Sequence, residues 1–377
     1  MGENFMMTSR ERLLAVCRGE MPDRVPISTY ELVGWDQRNF CNLEPSYHGL
    51  MEYIRQKTDC IAMWDPASDQ KLLCSAYDAH PETQKIELPD GYENVTRYRV
   101  GNRDLVTRTR FINGIYTSWK TEPLCKDSKD VDALMSLPFV PVTFDSSDAG
   151  RIWNELGDRG ILMPSLADPA YLAMELMEFG ESMVWVMSET EYFESVVKEL
   201  HRRNMINLKT MLETTDADLY RICGPEYMCP PYLPPKYFER FMLPYLTDMV
   251  QLIHQYNRLV RVHCHGRIGR VIDMIVETGC DGTDPCEEIP DGDTTLEELK
   301  ARVGDKLTLF GSMQLKLLET GCVEDVRRET ARMLAAGKPN GRFVLMPTAA
   351  PINVPLRDKT VENYKAYIDT ALACAAY

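Results

Sequence analysis

Eight short apolar runs, most of them separated by amphipathic stretches, leave this chain few ways to fold. The runs are Arg24–Ser28, Cys60–Trp64, Gly160–Leu166, Asp218–Cys223, Leu259–His265, Cys280–Pro285, Lys306–Ser312 and Phe343–Pro347. Between them lie helical patterns, clearest in "TEYFESVVKELHRRNMINLKTMLETT" and "PPKYFERFMLPYLTDMVQLIHQYN". Regular strand–helix alternation argues for a parallel sheet covered by helices. Eight repeats predict an α/β fold in which a single (β/α)8 TIM-type barrel takes up residues 1–377. Thr8 and Glu11 fit a capping box that opens a first helix.

One region breaks the rhythm. From about Gly91 to Cys125 the sequence is β-rich, with "GNRD" and "NG" as turn signals. This reads as an antiparallel β insertion, residues 91–125, in an early loop of the barrel.

Composition narrows the function classes. The chain has 377 residues, 44% hydrophobic, with a formal charge of −15, which disfavours a basic groove for nucleic acid. No stretch is long and apolar enough for a membrane span. Its 12 cysteines form no CxxC, and "MGENFMMTSRERLL" lacks the apolar run of a secretory signal. A reduced, cytoplasmic protein is expected. Met1-Gly2 does not complete a myristoylation pattern, because position 6 is Met6. A homodimer is the default oligomer for an enzyme of this kind.

In such a barrel, chemistry gathers at the carboxyl ends of the strands. The polar residues there are Tyr30, Glu31, Asp65, Asp168, Glu226, Cys229, His263, His265, Asp284, Cys286, Glu287, Gln314 and Thr348. "VRVHCHGRIG" places two of the six histidines two residues apart. Alternate strand residues share a face, so His263 and His265 point one way and Cys264 the other. They suit metal ligation, or else acid–base chemistry and substrate hydrogen bonding. A metal would need another ligand. Glu226, just after a strand, is the preferred third, and equally suits capping a helix or bracing a loop; Glu287, similarly placed after a later strand, is a fourth, or a solvated loop charge beside Glu288. Cys229 and Cys286 are softer alternatives that also suit buried packing.

Four stretches carry a resemblance. "MTSRERLLAVCRGEMPDRVPI", "VRVHCHGRIGRVIDMIVETGCDG", "GDTTLEELKARVGDKLTLFGSM" and "RFVLMPTAAPINVPLRDKTVENYKAYI" resemble the uroporphyrinogen decarboxylase superfamily. The resemblance implies one (β/α)8 barrel and either of two chemistries. One is cofactor-free porphyrinogen decarboxylation. The other is methyl transfer involving a corrinoid on a separate protein, usually with zinc in the barrel. The decarboxylases carry an arginine-bearing "RQAGRY"-type stretch where this chain reads "STYELVGWDQRNF", with Arg38 the nearest basic residue. The thiol-methylating zinc enzymes show His-x-Cys-Gly where this chain has His263 and His265. Their late cysteine is replaced by Thr348 and Ala349.

Nitrogen and oxygen ligands leave zinc a harder Lewis acid than thiolates do. The resemblance and this departure together lead to a corrinoid-dependent methyltransferase that demethylates an O-methyl, or N-methyl, small molecule. Zinc would sit on His263, His265 and Glu226, with Glu287 completing the shell or orienting a ligand. Tyr30, Asp65 or Asp168 would bind substrate or deliver a proton. The corrinoid-binding pattern DxHxxG is absent, so the cobalt would arrive on a partner protein. A metal-free decarboxylase or other lyase is the alternative, with Asp65 or Glu226 as the acid–base group. A non-catalytic corrinoid-protein partner or small-molecule binder is a third reading.

Overall fold

The structure is a computed structural model that describes residues 6–377. The secretory and lipidation readings of Met1–Phe5 lie outside the described residues. Among the described residues no helix is long and apolar enough to cross a membrane.

The chain is an α/β protein with a parallel sheet. Thr8 caps the first helix, Ser9–Cys17, and the capping box with Glu11 is present. Strand β1 is Cys60–Met63. The insertion follows as β2 (Glu82–Leu88), β3 (Gly91–Val100), β4 (Arg103–Ile112) and β5 (Ser118–Glu122). The parallel strands resume with β6 (Gly160–Met163), β7 (Ser165–Ala167), β8 (Leu219–Cys223), β9 (Leu259–His263), β10 (Gly282–Asp284), β11 (Thr308–Met313) and β12 (Phe343–Pro347).

β7 to β12 form one parallel ladder of six strands in sequence order, and β1 pairs with β6 in a second. Pro164 separates β6 from β7, because it has no N–H to give the ladder. Its carbonyl still accepts from Arg221 N at 3.0 Å. The run Arg24–Ser28, expected as a strand, makes only isolated bridges. Pro26 likewise has no N–H, and the segment joins its neighbours at single points. Ile27 bridges Leu345 of β12 in parallel, and the Ile27 carbonyl accepts from Asp59 N at 2.8 Å next to β1. Buried Asp59 completes the junction, accepting from Arg12 at 2.6 Å, Arg24 at 2.8 Å and Ile27 N at 2.8 Å. β11 and β12 are buried along their whole length, as in a sheet covered on both faces.

The insertion is an antiparallel four-stranded meander, β2-β3-β4-β5. It begins one strand earlier than its alternation suggested, since "ETQKIEL" is largely exposed and carries little apolar signal. A two-residue turn through Gly101, φ +60°, joins β3 to β4 where "GNRD" stands. The long helix Thr190–Thr214 matches its sequence pattern. The next pattern breaks into Pro235–Phe241 and Leu243–Gln255. Pro244 lacks the N–H that would continue the helix, and so sits in the first turn of the second piece.

Candidate active site

Strand register builds the floor of the site. β8 and β9 pair with Arg221 beside Arg261 and Cys223 beside His263, and β9 sets His263 beside Asp284 of β10. Because side chains alternate, Arg221, Cys223, Arg261, His263 and Asp284 share one face. His263 Nδ1 lies 2.7 Å from Asp284 Oδ2. Arg261 Nε lies 3.1 Å from Asp284 Oδ1 as an ion pair, without hydrogen-bond alignment. Arg261 also covers the Phe310 ring at 4.9 Å. Burial would raise the Asp284 carboxyl pKa, but the Arg261 charge, the His263 hydrogen bond and the Arg221 charge hold it well below the usual range. Burial pushes His263 down to about 4, so its imidazole is neutral at neutral pH.

His265 lies just past the end of β9, yet its ring stands edge-on to that of His263, with centroids 4.7 Å apart. Its Nδ1 faces Glu287 Oε1 at 3.1 Å, and Glu287 also accepts from Gly266 N at 2.8 Å. Burial lowers the His265 pKa, but Glu287 and Glu226 outweigh it and the net shift is upward. With Nδ1 of each ring held by a carboxylate, Nε2 is the nitrogen left for a ligand. Cys264 turns away and is fully buried, 3.9 Å from Cys229 sulfur to sulfur.

Glu226 enters from a 3-10 turn, Pro225–Met228, after Gly224 at φ +119°. Gly224 is needed here, because a Cβ would lie 2.2 Å from the Asp168 carboxylate. Glu226 Oε2 is buried without a partner, and burial raises the carboxyl pKa. Asp168 is itself fully buried and caps the helix Pro169–Met174, accepting from Ala170 N at 2.9 Å and Tyr171 N at 2.8 Å. Its other oxygen has no partner, and burial pushes its pKa up to about 8.

Two further residues face open volume. Tyr30 is 5% exposed, at φ +55°, and its hydroxyl accepts from Arg221 at 2.5 Å. Its ring stacks toward His263 at 6.2 Å between centroids. Asp65 accepts from Ser165 N at 2.6 Å, and loss of solvent raises its pKa.

A cavity of about 670 Å³ is lined by Tyr30, Arg221, Glu226, His263 and His265. A second, of about 420 Å³, shares Arg221 and adds Asp65. A third, of about 480 Å³, shares Glu226 and His265. The insertion walls the second with Tyr116 and Thr117 and the third with Lys120 and Thr121.

The structure thus gathers Tyr30, Glu226, His263 and His265 at one cavity. It sets Glu287 behind His265, Asp65 in the neighbouring volume, and Asp168 in the wall as a helix cap. The donors suit zinc in kind: two imidazoles with Nε2 available, beside a carboxylate with an unpaired oxygen. As placed, no three His, Cys, Asp or Glu side chains among the described residues are grouped to hold a metal ion.

Sequence reasoning missed Arg221 and Arg261. The signal was there: each lies two residues before a strand-end residue, Cys223 or His263, and so on the same inward face. The first loop brings only Arg38 to the second cavity, and two further arginines stand on two central strands.

A model of the uroporphyrinogen decarboxylase (URO-D) family matches residues 120–371. The chain belongs to the URO-D family. The match includes Arg221, Glu226, His263, His265, Asp284 and Glu287. A uroporphyrinogen decarboxylase from Psychromonas ingrahamii is 29% identical over 141 residues, 36% of this chain and 37% of that protein. The chain therefore aligns with little more than a third of that relative's length. A methyltransferase from Methanosarcina mazei superposes with a TM-score of 0.60 at 16% identity, covering 96% of this chain and 98% of the other. At that identity the likeness speaks for the fold.

Proposed function

We propose that this URO-D family protein is a zinc-dependent methyltransferase. It would move a methyl group from an O-methyl, or N-methyl, small molecule to the cobalt of a separate corrinoid protein. The observation that carries the reading is the imidazole pair: His263 and His265, each tethered through Nδ1 to its own carboxylate, at a cavity that also holds unpaired Glu226. A histidine oriented in this way is the usual state of a metal ligand. The fold shared with the Methanosarcina mazei methyltransferase supports the same side.

We also infer that the parallel strands close into a (β/α)8 barrel. Hydrogen bonds run from Ile27 to β1, from β1 to β6, through β7 to β12, and from β12 back to Ile27. In that frame the site lies at the carboxyl end of the strands, where barrel enzymes place their chemistry.

His263, His265 and Glu226 would hold the zinc, and Glu287 would orient His265 from behind. Bound there, zinc supplies Lewis acidity toward the oxygen of a methyl ether. Tyr30, neutral because burial raises its pKa, donates a hydrogen bond to substrate. Asp65, in the adjoining volume and with its carboxyl pKa raised by burial, would deliver a proton to the departing alkoxide or phenoxide. The corrinoid protein docks at the open mouth.

The test is methyl transfer. Purified protein should demethylate a methoxy compound only when a reduced corrinoid protein is supplied, and demethylation without corrinoid would sink the reading. One observation favours a second reading, a metal-free decarboxylase or lyase. Arg221, which lines the cavity, supplies a buried cation that a carboxylated substrate needs, and the curated relative is a decarboxylase. Carbon dioxide release that a chelator leaves unchanged would select it.

A further inference from the structure

The floor of the site holds two buried guanidinium groups whose donors are only partly used. Arg221 and Arg261 stand side by side; Arg261 pairs with the fully buried carboxylate of Asp284, whose charge also acts on Arg221. Arg261 and Asp284 are fully enclosed at 0% exposure, whereas Arg221 lines two cavities. One terminal nitrogen of Arg221 donates to Tyr30 at 2.5 Å, and the other has only a sulfur contact, to Met63 at 3.8 Å. Arg221 Nε is buried without any partner. Glu31, half-exposed at the rim, comes no nearer than 4.0 Å. A guanidinium taken out of water with donors unused is costly unless something else fills them. Tyr30 adds a further donor. Its oxygen accepts from Arg221, so its own proton is free to point at an occupant of the cavity.

We propose that Arg221 and Tyr30 form an anion subsite for a carboxylate on the substrate, which makes that substrate a methoxylated carboxylic acid. The subsite stands on its own geometry; that its ligand is a methyl donor rests on the methyl-transfer reading. A carboxylate matches the donors better than a phosphate does. It brings one charge and two in-plane oxygens to a planar guanidinium and one hydroxyl. A phosphate dianion would also face Glu31, Glu226 and Glu319, which line the same cavity. Tyr30 links the two ends of the site, hydrogen-bonded to Arg221 and stacked toward His263. A carboxylate anchored at Arg221 therefore directs the rest of the molecule toward the imidazole pair.

Calorimetric titration of the full chain, with no corrinoid present, tests this. The probes are para-methoxybenzoate against para-methoxybenzamide, methoxyacetate against methoxyacetamide, and inorganic phosphate. The acid of at least one pair should bind about tenfold or more tightly than its amide, the range of hydrogen bonds to a charged group. That preference should survive a chelator, which separates it from carboxylate–metal contact. Arg221→Met should abolish it. Tyr30→Phe, a smaller change to the fold, should weaken the acid several-fold and leave the amide unchanged. The subsite is overturned by equal affinity within both pairs, including no binding of either member. It is also overturned by phosphate outcompeting the acids, or by a preference that persists in both variants. Charge-selective binding with no methyl transfer would leave the subsite and remove the proposed reaction. Transfer from neutral methoxy compounds without charge selectivity would do the reverse.

Discussion

Asp284 holds the site together at the level of single residues. It orients His263, pairs with Arg261 and sets a negative charge near Arg221. Asp284→Asn keeps the shape but leaves Arg261 buried without its counter-charge. Chemical denaturation should show a loss of about 3 kcal/mol or more, and zinc affinity should fall about tenfold or more as the imidazole loses its orienting partner. Unchanged stability would mean that Arg261 is neutralised elsewhere.

Asp168 gives a pH prediction. Its folded pKa, about 8, lies above its ordinary value of 3.8. The folded state therefore keeps a proton that the unfolded chain has released, and stability falls as pH rises between those values. Asn at this position still caps the helix but does not titrate. Measured against Asp168→Asn, the native protein should lose stability from pH 4 to 8, and a constant difference would contradict the assignment. Two-residue spacing made His263 and His265 legible in the sequence, and a place just after a strand, before a proline-rich turn, marked Glu226. Arg221 and Arg261 obey the same alternation, but an arginine inside a strand gives no hint of its partner. That partner, Asp284, lies on another strand and becomes visible only through register.

At the scale of elements, strand–helix alternation located seven of the eight parallel segments as strands, and the first only as a bridged segment. The misfit has a local cause, the missing N–H of Pro26. Its remedy, Asp59, is tertiary and leaves no periodic trace. Asp59→Ala removes the shared acceptor of Arg12, Arg24 and Ile27 N. It should cost about 3 kcal/mol or more in a denaturation experiment. Amide exchange should also quicken first around Ile27. Gly224 is a second hinge of the design. Gly224→Ala places a methyl group against Asp168 in a left-handed conformation. It should destabilise by about 2 kcal/mol or more and displace Glu226, read as weakened metal affinity. Normal stability and affinity would show that the turn can relax.

For the whole molecule, family membership and the α/β fold agree with the alternation read from the sequence. The insertion was legible from its turns, but not its role as cavity wall. That role depends on contacts far along the chain, such as Tyr116 N to the Ile352 carbonyl at 2.7 Å. All 12 cysteines are free thiols, nine of them buried, and only Cys322 is exposed. A thiol reagent should modify about one cysteine quickly in the native protein, Cys322, and the rest only on unfolding. Several fast-reacting thiols would mean the packing is looser than described.

His263 and His265 are either metal ligands or acid–base groups. Zinc content, measured in protein purified without chelator and repleted with zinc, decides between them. About one zinc per chain is expected, lost in both His263→Ala and His265→Ala while each variant stays folded. A wild-type chain that takes up no zinc, or variants that retain it, would contradict the zinc-dependent methyltransferase reading and move the lyase reading forward.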